Sequence, residues 1–141
     1  MAKKIAGTEI PSGQSLTEFA LALPLLLIIL LGVVDLGRLY YTYVALVNAA
    51  RESARYGASQ KCGTADAAIL AKAKAEATAA RFTLADSDIQ ISYPDGSCAN
   101  GNTIKVTTNT NFQLITTVIF GGTTVPLRTA TQFQLYYGTS N

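Results

Sequence analysis

Few residues in this chain could do chemistry, and the acid at position 18 stands first among them. Glu18 is a lone carboxylate at the entry to an apolar run, Phe19 to Val34, that carries no other charge. Placing a charge against hydrocarbon is costly unless it finds a partner, so the chemistry open to Glu18 is pairing with a cation. Without one, it is a residue of the lipid headgroup boundary that marks the start of a helix. Asp35 and Arg38 close the run three residues apart, a spacing that allows an ion pair at the opposite boundary or a solvated pair with no further role. Cys62 and Cys98 both follow the run. An even pair on one side of a membrane points to a disulfide where that side is oxidising, and two unrelated buried thiols are the alternative. Bridged, they close a loop of about 37 residues, worth roughly 4 kcal/mol in the chain-entropy picture.

Other chemistries lack their parts. There is no histidine, which removes the commonest general base and the commonest metal ligand together. Two cysteines alone do not make a structural zinc site, which takes four ligands. Asp86, Asp88 and Asp95 lie near one another, but their spacing is not that of a calcium loop, and acids of this kind usually cap or turn the chain. No phosphate-cradling glycine loop or nucleophile elbow is present. The expectation is a non-enzyme with no cofactor and no metal.

The residues around the apolar run resemble a known family. Gly13-Gln14, followed by Glu18-Phe19, is similar to the processing site of type IV pilins and pseudopilins, in which a membrane peptidase cuts after the glycine. The continuation, Leu30 to Tyr40 with its Asp35-Leu36-Gly37-Arg38, and then Asn48-Ala49-Ala50-Arg51-Glu52-Ser53-Ala54-Arg55-Tyr56-Gly57, more narrowly resembles the TadE-like proteins of tight-adherence pilus systems. The likeness covers roughly the first 60 residues. It implies a leader, Met1 to Gly13, removed by a prepilin peptidase, and a mature chain starting at Gln14, where classical type IV pilins start at phenylalanine. It implies that Glu18, with Phe19 beside it, engages the freed amino terminus of a neighbouring subunit during filament assembly. The implied partners are further copies or related pilins, the inner-membrane assembly platform and membrane lipid.

Composition agrees with a chain living partly in lipid. Of 141 residues, 49% are hydrophobic and only 14% charged, with a net charge of +2, too small and too dispersed to argue for nucleic acid. The segment before the run holds Lys3 and Lys4, and Arg38 and Arg51 follow it, so the positive-inside rule is close to silent. An outward-facing head rests on the cysteine pair and the family likeness. A secretory signal would end in a small-residue cleavage site after the apolar core, whereas this run exits into Val34-Asp35-Leu36-Gly37-Arg38. The apolar segment therefore reads as a retained anchor, transmembrane over about 16–36.

The elements that must position these groups follow from periodicity. The sixteen uncharged residues from Phe19 to Val34 span about 24 Å as a helix, slightly short of a hydrocarbon core of about 30 Å. Pro24 should kink or loosen that helix. Beyond Asp35 the helix turns amphipathic, with Leu36, Tyr40, Tyr43, Val47, Ala50 and Ala54 on one stripe, and runs to about Tyr56 with Gly57 as its stop. Arg51, Glu52 and Arg55 fall on a solvated or head-contacting face. An alanine-rich helix is expected over about Ala65 to Arg81, capped by Thr64 or Asp66, with Lys72 and Glu76 paired. Strands are expected over Ile89 to Tyr93, ending in the turn Pro94-Asp95-Gly96, over about Thr103 to Phe112, and over about Thr124 to Tyr137. Leu114 to Phe120 is an apolar patch that forms a short helix or a tucked loop. The expected class is α+β: a pilin-like long helix at 14–57 carrying a head at 58–141 with a second helix and a three-stranded antiparallel sheet.

Overall fold

The computed structural model describes residues 13–61, 65–122 and 124–136. Residues Met1–Ser12 of the expected leader, Cys62, Thr64 and Tyr137 lie outside them. Helix α1 (Gln14–Ala58) is a single element of 45 residues, about 67 Å long at the usual rise, and its helical assignment runs through Pro24 without a break. Helix α2 (Ala65–Ala79) follows, then a 3-10 turn at Asp86–Asp88, strand β1 (Ile89–Ser92), strand β2 (Thr103–Phe112), a short helix α3 (Ile115–Phe120) and strand β3 (Val125–Gln134). The sheet is an antiparallel meander in the order β1-β2-β3, with Ile91 opposite Val106 and Thr108 opposite Thr129. This is the α+β architecture that the hydrophobic pattern predicts.

The core lies between the sheet and the second half of α1, with α2 beside α1. Ile104, Val106 and Phe112 alternate inward from β2, and Leu127 and Leu135 do so from β3 and the residue just past it. They meet Leu46, Ala49 and Ala54 of α1 and Ile69, Ala73 and Ala77 of α2. Small residues on both helices let the backbones approach closely, and the large side chains come mainly from the sheet.

The buried face of α1 differs from the expected stripe. Ala50 and Ala54 are buried, but Leu36, Tyr40 and Tyr43 are exposed. The face that meets the head is Asp35, Leu46, Ala49, Ala50, Ser53, Ala54 and Gly57. Hydrophobicity misleads here because, apart from Leu46, the side chains on the buried face are small or polar, while Leu36, Tyr40 and Tyr43 point away.

Gly57 is not the stop. It is helical and buried, and the helix ends one residue later at Ala58. A Cβ at Gly57 would lie 2.6 Å from Ile69 Cδ1 and 2.7 Å from Ile104 Cδ1, so the glycine is there for close packing. Helix α2 ends at Ala79 instead of Arg81. Arg81 adopts a left-handed conformation, φ 61°. Its N–H donates to the Thr78 carbonyl and that of Phe82 to the Ala77 carbonyl, the pairing of a Schellman cap. The expected turn is present after β1: the Gly96 N–H donates to the Tyr93 carbonyl at 3.0 Å, with Gly96 at φ 87°.

Candidate functional site

The residues singled out by chemistry fall at the two ends of the apolar half of α1. At its start, Gly13 is the N-cap residue and its carbonyl accepts from Thr17 Oγ1 at 3.0 Å. Gln14 Nε2 donates to Glu18 Oε1 at 3.1 Å, so Glu18 already holds a neutral partner from the residue predicted to become the mature terminus. Both are exposed, as is Phe19. One helical turn thus brings Gln14 and Glu18 together, with Gly13 at the cap just before them.

Between the two ends, every residue from Phe19 to Leu30 is exposed, and only Leu31 and Gly32, beside Asp35, are half-buried. Leu16, Leu21, Leu25, Leu26, Ile29 and Val33 are all more than half exposed. The segment is long and apolar enough to cross a membrane. Large apolar surface of this kind on one end of a molecule signals an external apolar partner, lipid or protein.

At the far end, the Asp35–Arg38 pair exists, with Arg38 Nη1 donating to Asp35 Oδ1 at 3.3 Å, but Asp35 is not the solvated residue that the blander reading expects. It is 2% exposed. The amide N–H groups of Ile115 and Thr116 donate to its two carboxylate oxygens at 2.8 and 2.9 Å, and Thr116 Oγ1 donates at 2.9 Å. Helix α3 has Leu114 at its N-cap and no side-chain cap of its own. Asp35 therefore caps it from a different part of the chain, supplying the acceptor that the free N–H groups of a first turn need. Arg38 adds a second tie, its guanidinium 5.2 Å from the centre of the Phe112 ring. The one signal in the sequence for this cap is negative: the run Leu114-Ile115-Thr116-Thr117 opens a helix without a local capping residue.

These contacts set the orientation of the head. Ile104 faces Gly57, Thr108 Oγ1 donates to the Leu46 carbonyl at 3.4 Å, Phe112 meets Arg38 and Ile115 meets Asp35. Strand β2 thus runs down α1 toward the apolar half. The two paths match in length: α1 drops about 33 Å between Gly57 and Asp35 while the chain advances about 36 Å from Ile104 to Ile115.

Several of the other charged groups have structural partners. Arg55 donates to Glu52 at 2.6 Å, and that hydrogen bond holds the Glu52 carboxyl below its ordinary value. Lys72 donates to Glu76 at 2.9 Å, which raises the lysine. Asp66 accepts from the Tyr93 hydroxyl at 3.0 Å. The three acids of the 86–95 stretch are not brought to one point: Asp86 pairs with Lys74, Asp88 accepts from the Ala85 N–H at 2.9 Å and Asp95 from the Thr103 N–H at 2.7 Å. Cys98 is half-buried against the core.

Residues 13–55 match the family described as TadE-like protein. The match starts at the glycine of the expected processing site and ends three residues short of the end of α1, so it follows the helix and leaves the head outside. No curated protein and no solved structure matches the chain.

Proposed function

We propose that this chain is a structural subunit, a pilin or pseudopilin, of a type IV-like tight-adherence pilus. It is made as a precursor, cut after Gly13 by a prepilin peptidase, held in the inner membrane by α1 with its head outside the cytoplasm, and assembled through that helix into a filament or its assembly platform that supports surface attachment. It performs no catalysis. The observation that carries the reading is α1 itself: its apolar half is stripped of intramolecular cover, begins with Gly13, Gln14 and Glu18, and matches the TadE-like family along nearly its whole length.

The physical logic runs from Glu18 outward. In the precursor, the Gln14 amide satisfies one carboxylate oxygen. Cleavage after Gly13 would free an ammonium at Gln14, and a cation from a neighbouring subunit is the partner that makes a carboxylate tolerable inside an apolar bundle. An unmatched subunit would carry that penalty into the filament, so pairing selects register. The partners of this reading are further copies or related pilins, the peptidase, the assembly platform and lipid, with no role for nucleic acid. A Cys62–Cys98 disulfide completes it, in keeping with a head in an oxidising compartment.

The deciding experiment is the intact mass of the protein recovered from its own membranes or cell surface, with and without reductant. A chain beginning at Gln14 that gains two hydrogens on reduction supports processing and an external head together. A chain beginning at Met1 overturns the pilin route and leaves an uncleaved single-pass membrane protein whose head binds a partner.

A further inference from the structure

We propose that α3 forms a second membrane contact, with Val118 and Ile119 seated at the headgroup–acyl boundary beside the point where α1 leaves the bilayer. The inference rests on the reading of α1 as a membrane anchor and goes beyond it, since it assigns lipid contact to the head.

The first argument is position. Asp35 directly follows the apolar run, and its carboxylate grips the first two backbone N–H groups of α3. The β2–β3 connection is thus fixed at the level where the apolar half of α1 ends. It is the end of the head nearest the bilayer, because β2 runs down α1 toward that half.

The second argument is the fit of the anchor. The uncharged run from Phe19 to Val34 spans about 24 Å against a hydrocarbon core of about 30 Å. With Glu18 at one boundary, the other boundary falls a few ångströms beyond Val34, at or past the height of Asp35. Leu36 and Tyr40 are exposed there, and tyrosine suits an interface. Anything docked at Asp35 is brought into the same layer.

The third argument is chemistry. Val118 and Ile119 are 69% and 57% exposed, and no charged residue occurs from Gln113 to Pro126. The polar groups of its first turn are already paired. Asp35 takes the Ile115 and Thr116 N–H groups and the Thr116 hydroxyl, and Thr117 Oγ1 donates to the Leu114 carbonyl at 2.7 Å. A short helix with its first turn capped and an outward apolar tip can enter the headgroup layer, where water and headgroups reach the free carbonyls of its last turn.

The chain has no tryptophan, so single substitutions are clean depth probes. The full chain is placed in phosphatidylcholine–phosphatidylglycerol vesicles at low protein density, as Ile119→Trp, as Leu27→Trp within the anchor, and as Tyr136→Trp at the opposite end of the head, where the Tyr136 N–H meets the Ala58 carbonyl. Fluorescence quenching is read with lipids brominated near the headgroup or near the chain terminus. For an interfacial α3, the shallow bromines quench Ile119→Trp about twofold more than the deep ones, Leu27→Trp is quenched by the deep ones, and Tyr136→Trp by neither. Quenched Leu27→Trp with unquenched Ile119→Trp, or no preference for shallow bromines, overturns the α3 contact while the anchor stands. Protection of Ile119→Trp that appears only as protein density rises assigns the tip to a second copy and overturns it equally. Unquenched Leu27→Trp overturns the anchor and the α3 contact together.

Discussion

At the scale of single residues, Asp35 stands where the exposed apolar stretch of α1 gives way to the packed head, and its carboxylate joins the two. Replacing it with alanine leaves the Ile115 and Thr116 N–H groups without their acceptor. Hydrogen exchange at those two amides should accelerate by about tenfold or more. Asp35→Asn, which keeps one acceptor oxygen, should fall between. Unchanged exchange in Asp35→Ala would remove the cap from the account. Glu18 presents the opposite case, an exposed acid whose one observed partner is the Gln14 side chain. In the proposed function, Glu18→Ala should leave the protein in the membrane fraction while filament yield falls by about an order of magnitude, since the subunit would lose the charge that sets its register. Full filament yield would take Glu18 out of the mechanism.

At the scale of elements, α1 and α2 are held by side chains that are small by necessity. Gly57→Ala should gain helix propensity, worth about 1 kcal/mol. It should also force the tips of Ile69 and Ile104 aside, and both residues are fully buried. Overpacking costs about 1–3 kcal/mol, so the net expectation is a loss of about 1 kcal/mol in denaturant unfolding of the full chain in detergent. A gain in stability would show that the isoleucine tips move freely. The end of α2 offers the reverse change. Arg81 holds a left-handed backbone at φ 61°, where glycine has no Cβ penalty, so Arg81→Gly should stabilise by about 1 kcal/mol. The same unfolding assay checks it, and a destabilised Arg81→Gly would mean that the arginine side chain contributes more than its strained backbone costs.

At the scale of the molecule, the proposed function divides one helix between two solvents. Its second half is the spine of the head, carrying buried Leu46, Ala49 and Ala54, while residues 14–30 are exposed throughout. The head is small, and in the proposed function a Cys62–Cys98 bridge would be its largest single stabilising element. Reduction should then lower the melting temperature of the full chain in detergent by on the order of 10 °C. An unmoved melting curve would show that the cysteines are not bridged.

Much of this was legible before folding, because local periodicity carries it. The length of α1, the alternation that places Ile104 and Val106 inward, the turn ending at Gly96, and the Lys72–Glu76 pair all follow from side-chain spacing along one element. The five-residue relation of Gly13 to Glu18 and the uncharged run behind it are likewise properties of the chain alone. What lay beyond reach depends on contacts between residues far apart in sequence. Gly57 reads as a helix stop until Ile69 and Ile104 arrive against it. Leu36 and Tyr40 read as core until Asp35 turns out to face the head. Asp35 reads as a boundary charge until Ile115 and Thr116, some eighty residues away, present their N–H groups to it. Periodicity reports that a helix has two faces. Only close packing against the sheet decides which face is buried, because the fit of small and capping residues outweighs the pull of larger apolar ones.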